Sequence, residues 1–173
     1  MKTTSTILSL QLTDDCQVFM DQVRDLSEAQ FTRYLSNKWS VAEVMQHLYL
    51  SARPVARLMA GPREVFLQWG IAEAPSRTYD EVASQYAKVL TTGAKAPSSM
   101  SPRPEDMQVS KQVVMDRFTG VYQTLVDTLA QWTDQELDAY SIPHPALGKL
   151  TVREMLYFTS LHTRHHLERL PTP

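Results

Sequence analysis

Thr151-Val-Arg-Glu-Met-Leu-Tyr-Phe-Thr-Ser-Leu-His-Thr-Arg-His-His-Leu167 is the stretch on which the fold turns. Thr151 followed by Glu154 has the form of a capping box: a hydroxyl that accepts from the third amide of a helix, and an acid that reaches back to the first. Behind the box, Val152, Met155, Leu156 and Thr159 recur at steps of three and four, the period of a helix rather than a strand. Continuing that stripe lands on His162 and His166. The predicted last helix therefore turns two imidazoles toward the core it helps to build.

The same pattern recurs upstream. Leu12, Cys16, Phe19, Met20 and Val23 mark a first long helix, and Ser40-Val-Ala-Glu43 is a second capping box that starts another near Val41. Its stripe of Val41, Val44, Met45, Leu48 and Ala52 runs to Pro54, where the missing amide and the ring clash predict an end or a kink. Tyr79 to Leu90 reads as a shorter helix, and Ala94 to Glu105, with three prolines and three serines, as a loop. Val114, Phe118, Val121, Leu125, Leu129 and Trp132 mark the third long helix. Pro143-His144-Pro145 and Gly148 read as a turn, and no strand run is evident.

Four helices with one apolar face each bury those faces most simply as a bundle. The expected fold is all-α: a four-helix bundle with an additional short helix and a long proline-containing crossover between Gly61 and Glu105. The short link before Val41 favours antiparallel packing of the first two long helices. At 173 residues, with 43% hydrophobic and 21% charged, the chain fits a single domain over 1–173.

Seventeen Lys and Arg against 19 Asp and Glu leave a net charge of -2, which gives no basic field for nucleic acid or an anionic membrane. Cys16 is the single cysteine, so neither an internal disulfide nor a thiolate-rich zinc or iron-sulfur site can form. The apolar stretch from Ile7 to Leu12 is too short and too interrupted for a secretion signal, and no window approaches a membrane span. A cytoplasmic setting is expected.

His162 and His166 stand four residues apart, so their side chains return to the same side of a helix and can chelate one ion. His165 is turned out of the stripe, in line with Phe158; an i, i+3 pair of His162 with His165 is also geometrically feasible, and the preference for His166 rests on the stripe. His47 lies at the edge of its helix's apolar face, where it can point to a neighbouring helix, but spacing does not say which. Set against these readings, a lone helical histidine is usually a surface or satisfied core residue. Glu43 is explained by its capping box, Cys16 by the core stripe, and His144, between two prolines, by the turn. Neither the Glu-x-x-His pairs of a di-iron bundle nor the His-Glu-x-x-His of a zincin is present.

Asn37-Lys-Trp39-Ser40-Val-Ala-Glu43-Val-Met-Gln-His47-Leu48, together with His144-Pro-Ala-Leu-Gly148-Lys-Leu-Thr151 and His162-Thr-Arg-His165-His166-Leu167, resembles the DinB-like superfamily over nearly the full chain. The resemblance implies an up-down-down-up bundle, a metal bound by three histidines, and frequently a homodimer. It sets the first ligand at His47 and the C-terminal pair at His162 and His166. Members often carry Gln three residues after the last histidine, where this chain has Arg169.

Three neutral imidazoles would leave a divalent ion its full charge and an open position, the pattern of a catalytic site. Zinc or nickel fits best, with manganese or iron as further options, and a low-molecular-weight thiol is a candidate cofactor. The expectation is a metal-dependent hydrolase or thiol S-transferase whose catalytic residues and substrate are not legible. The rival is a non-catalytic bundle, with or without metal, that works by dimerising or binding a partner.

Overall fold

The computed structural model describes residues 4–34 and 36–170. Among them the chain forms α1 (Ser5–Val23), α2 (Glu28–Phe31), α3 (Val41–Ala60), α4 (Tyr79–Thr91), α5 (Lys111–Leu129), α6 (Asp134–Ala139) and α7 (Val152–Leu167). A hairpin of β1 (Ser141–His144) and β2 (Gly148–Thr151) precedes α7, and 3-10 turns occur at Arg63–Trp69, Ser98–Met100 and Pro104–Met107. The protein is mostly helical. No helix among the described residues is long and apolar enough to cross a membrane.

The predicted stripes are the buried faces. Val41, Val44, Met45, Leu48 and Ala52 of α3, Val114, Phe118, Val121, Leu125 and Leu129 of α5, and Val152, Met155 and Leu156 of α7 all enter one core. α5 packs against α1 and α3, and α7 packs against the same two helices, so the four long helices close a ring of contacts. α3 is not among the principal neighbours of α1, despite the short link between them. The rings of Phe19 and Phe118, 4.9 Å apart, join α1 to α5. The indole N–H of Trp132 donates to the Met59 carbonyl at 3.0 Å and ties the end of α5 to that of α3.

Three expectations are corrected. The first helix begins at Ser5, not at Leu12: Thr4 caps it, accepting from the Ile7 amide at 3.3 Å, and Leu8 is fully buried. The stretch that looked like a short apolar run is its first two turns. Of the end or kink expected at Pro54, the end does not occur: buried residues on both sides, Ala52, Val55, Ala56 and Met59, hold α3 on the core, and it stays helical through to Ala60. Proline still removes one ladder donor, so this continuity is maintained by packing. The turn before α7 is a hairpin, with Ser141 paired to Thr151 and His144 to Gly148. Gly148, at φ 73, takes the left-handed conformation that allows the chain to reverse.

The start of α7 is fixed from three sides. Thr151 accepts from the Glu154 amide at 3.2 Å, and the Glu154 carboxylate accepts from the Thr151 amide at 3.0 Å. The same carboxylate takes the Arg77 amide at 2.7 Å and its guanidinium at 2.9 and 3.0 Å, which anchors the segment leading into α4. Arg153, only 2% exposed, donates to Asp138 at 2.7 Å and Asp134 at 3.0 Å on α6. These bonds fix the axis of the helix that carries His162 and His166.

Candidate metal centre

His47 from the second turn of α3 and His162 and His166 from the last turns of α7 converge, with one ligand nitrogen of each within 4.8 Å of the others. The Nε2 atoms of His47 and His162 are 2.9 Å apart, and those of His162 and His166 are 3.2 Å apart. Nitrogens bound to one ion at about 2.0–2.1 Å, at angles between square and tetrahedral, stand about 3 Å apart. His165 is not part of the cluster; its ring lies edge-on to Tyr86, with centroids 5.7 Å apart.

The protonation of the cluster follows from its partners. His47 Nδ1 is 2.7 Å from the Met100 carbonyl, which can only accept, so Nδ1 carries the proton and Nε2 presents a lone pair to the other two rings. One proton on the shared His162 Nε2 would have to serve both short contacts. A cation at the centre would make all three lone pairs attractive at once, and a backbone carbonyl on the outer nitrogen is how metal-bound histidines are commonly oriented. The residues present therefore fit a divalent ion.

Burial keeps the rings uncharged. It pulls the His47 pKa below the ordinary value, and the Met100 contact opposes this in part. Burial pushes the pKa of His162 well below the imidazole range, with the neighbouring His47 and His166 adding to the effect. His166 falls to about 3, chiefly through burial and then through His47. Neutral imidazole is the form that binds metal.

The ligand rings are held by packing. Phe158 stacks on His162 with centroids 5.1 Å apart and planes 18° from parallel, and Trp39 lies 4.8 Å from His47. The other face of Phe158's surroundings is closed by His144, 4.2 Å away. His144 Nδ1 accepts from the Ala146 and Leu147 amides at 3.1 and 3.0 Å, so this histidine staples the hairpin tip, in keeping with a turn role. Glu43 closes its capping box on Ser40 at 2.7 Å. Burial raises the Cys16 thiol to about 11, which suits a packed side chain and not a nucleophile.

The three histidines face a cavity of about 480 Å³, within the usual range for small-molecule sites. Its walls come from α3, α4, α7, the hairpin tip and the 94–100 segment, and include Val55, Leu58, Val89, Ile142 and Phe158. Three contributors were not legible in the sequence. The Met100 carbonyl is a backbone atom, which leaves no residue signature. Tyr86 comes from the short helix, and the hairpin tip from a segment read as a turn.

The DinB superfamily profile matches residues 11–170. The chain is similar to the uncharacterized protein YuaE of Bacillus subtilis (strain 168), with 22% identity over 151 residues, 87% of this chain and 86% of that protein. The chain belongs to the DinB superfamily.

Proposed function

We propose that this DinB-superfamily protein is a metal-dependent enzyme in which His47, His162 and His166 hold one divalent transition ion, zinc or nickel in preference to manganese or iron. The observation that carries this reading is the convergence of three neutral imidazole nitrogens, 2.9 and 3.2 Å apart along the chain of contacts, at the wall of an apolar cavity. When bound, such an ion supplies a Lewis acid with open positions, at which a water or a thiol loses its proton near neutral pH. The reaction class is hydrolysis or thiol S-transfer, with a low-molecular-weight thiol as cosubstrate in the second case.

The protein's own groups do the rest. Met100 orients His47 through Nδ1, leaving Nε2 free to ligate. Phe158 and Trp39 restrict the rings to one orientation, and the apolar walls exclude water from charge that develops inside. The ring of contacts among α1, α3, α5 and α7 supports an up-down-down-up four-helix bundle as a single domain; the family resemblance is the basis for expecting a homodimer, and the single cysteine for expecting a cytoplasmic setting.

Cobalt substitution tests the reading. Cobalt-loaded protein should show visible bands of a low-coordinate site, which shift when a small thiol is added. Bands that do not respond to thiols, and no turnover of model esters, amides or thiol-reactive electrophiles, would favour the non-catalytic alternative. A His47→Ala variant with unchanged cobalt affinity would remove His47 from the ligand set.

A further inference from the structure

The cavity has a one-sided polar character. None of the residues that line it is Asp or Glu, and its one formally charged side chain is Lys95. Most of its hydroxyls are already committed. Ser51 donates to the His47 carbonyl at 2.9 Å, Thr159 to the Met155 carbonyl at 2.9 Å, and Thr163 to the Thr159 carbonyl at 2.9 Å, while Tyr122 pairs with Thr163.

Outside the three ligand histidines, five lining groups keep a donor with no hydrogen-bond partner among the described residues: Lys95 Nζ, Tyr86 O–H, His144 Nε2–H, the Trp39 indole N–H and the ring N–H of His165. The His144 donor is fixed by the fold. Its Nδ1 accepts two backbone amides, so a neutral ring must carry its proton on Nε2. Tyr86 is a phenol and carries its proton at neutral pH. The His165 ring offers one donor and one acceptor nitrogen.

From this set of donors in an otherwise apolar chamber, we infer that the ligand of this cavity is an apolar molecule with an anionic or acceptor-rich head, a carboxylate in the simplest case, and that Lys95, Tyr86 and His144 select it. The inference rests on the reading of the cavity as the place where the proposed centre meets its substrate, and it names the class of that substrate. A cationic or amine-headed molecule of the same size would meet the Lys95 charge and no carboxylate to balance its own.

The probes are octanoate, octylamine and acetate, titrated calorimetrically into the full chain, with bound metal measured on the same samples. Octanoate should bind about tenfold or more tightly than octylamine, and acetate, which lacks the apolar tail, should give no measurable heat. Tyr86→Phe keeps the ring packing against Phe158 and removes one donor; Lys95→Gln removes the charge. Each should weaken octanoate several-fold and leave octylamine unchanged or improved. Metal-loaded protein that binds octylamine as well as octanoate, or binds neither, overturns the inference and leaves the metal centre standing. Metal-free protein that cannot be loaded yet still selects octanoate supports the inference and overturns the metal reading.

Discussion

Replacing Glu154 by Gln tests how the helix carrying two of the three histidines is held. The Glu154 side chain is 5% exposed and Arg77's is 28% exposed, so their ion pair is largely shielded from water. Burial acts to raise the Glu154 pKa, but the Arg77 guanidinium and the Arg77 and Thr151 amides outweigh it, and the net pKa lies below the ordinary 4.5. Gln keeps the shape and the capping oxygen but loses the charge. Breaking one side of a buried pair costs about 3–5 kcal/mol; with Arg77 able to reach solvent and Gln retaining a hydrogen bond, about 2 kcal/mol is expected.

For a chain of this size that lowers Tm by about 4–8 °C, measured by calorimetry at pH 7. The sign with pH follows from linkage. A carboxylate whose folded pKa is depressed contributes its full stability above the unfolded pKa, and that contribution is lost as pH falls through the folded one. The gap between wild type and Glu154→Gln should therefore be widest at neutral pH and shrink below pH 4.5. A variant as stable as wild type at pH 7, or a gap that does not change with acid, would refute the reasoning.

Pro54→Ala should restore an amide donor to α3 at an exposed position; after allowing for the looser unfolded chain, a gain of about 1–2 kcal/mol and a higher Tm are expected. Cys16, with its thiol raised to about 11, should react with a thiol-labelling reagent at pH 8 about a hundredfold more slowly than free cysteine in the folded protein, and at the ordinary rate in denaturant. Saturating metal at about a hundred times Kd should stabilise the fold by about 2.7 kcal/mol, an increase in Tm of about 5–11 °C that a chelator reverses. His162→Ala should abolish that increase.

The long helices were legible because each carries a period and a cap: Ser40 with Glu43 and Thr151 with Glu154 form the boxes their sequence announces. The capping boxes of α2 and α6, Ser27 with Gln30 and Thr133 with Glu136, start helices of 4 and 6 residues, too short for any stripe to show. Four-residue strands interrupted by Pro143 leave no alternation to read, so the hairpin was invisible. At Pro54 local propensity argues for a helix end, and the tertiary packing that keeps α3 helical past it has no local signature. In the site, spacing alone gave the pairing of His162 with His166, both near His47 in space. The meeting of α3 with α7 at that height is a tertiary fact, which only family resemblance supplied beforehand. The Met100 carbonyl, which fixes the tautomer of His47, belongs to a loop whose path no residue pattern encodes.

The central claim is that one ion is held by three histidines from two helices. Equilibrium dialysis of the full chain against zinc and against nickel, followed by elemental analysis, tests it most directly. The account predicts one equivalent of metal per chain, and less than a tenth of that affinity in each of His47→Ala, His162→Ala and His166→Ala, with His165→Ala unaffected. Folded wild-type protein that takes up no metal, or that loses it with His165→Ala and keeps it with His166→Ala, would contradict the account.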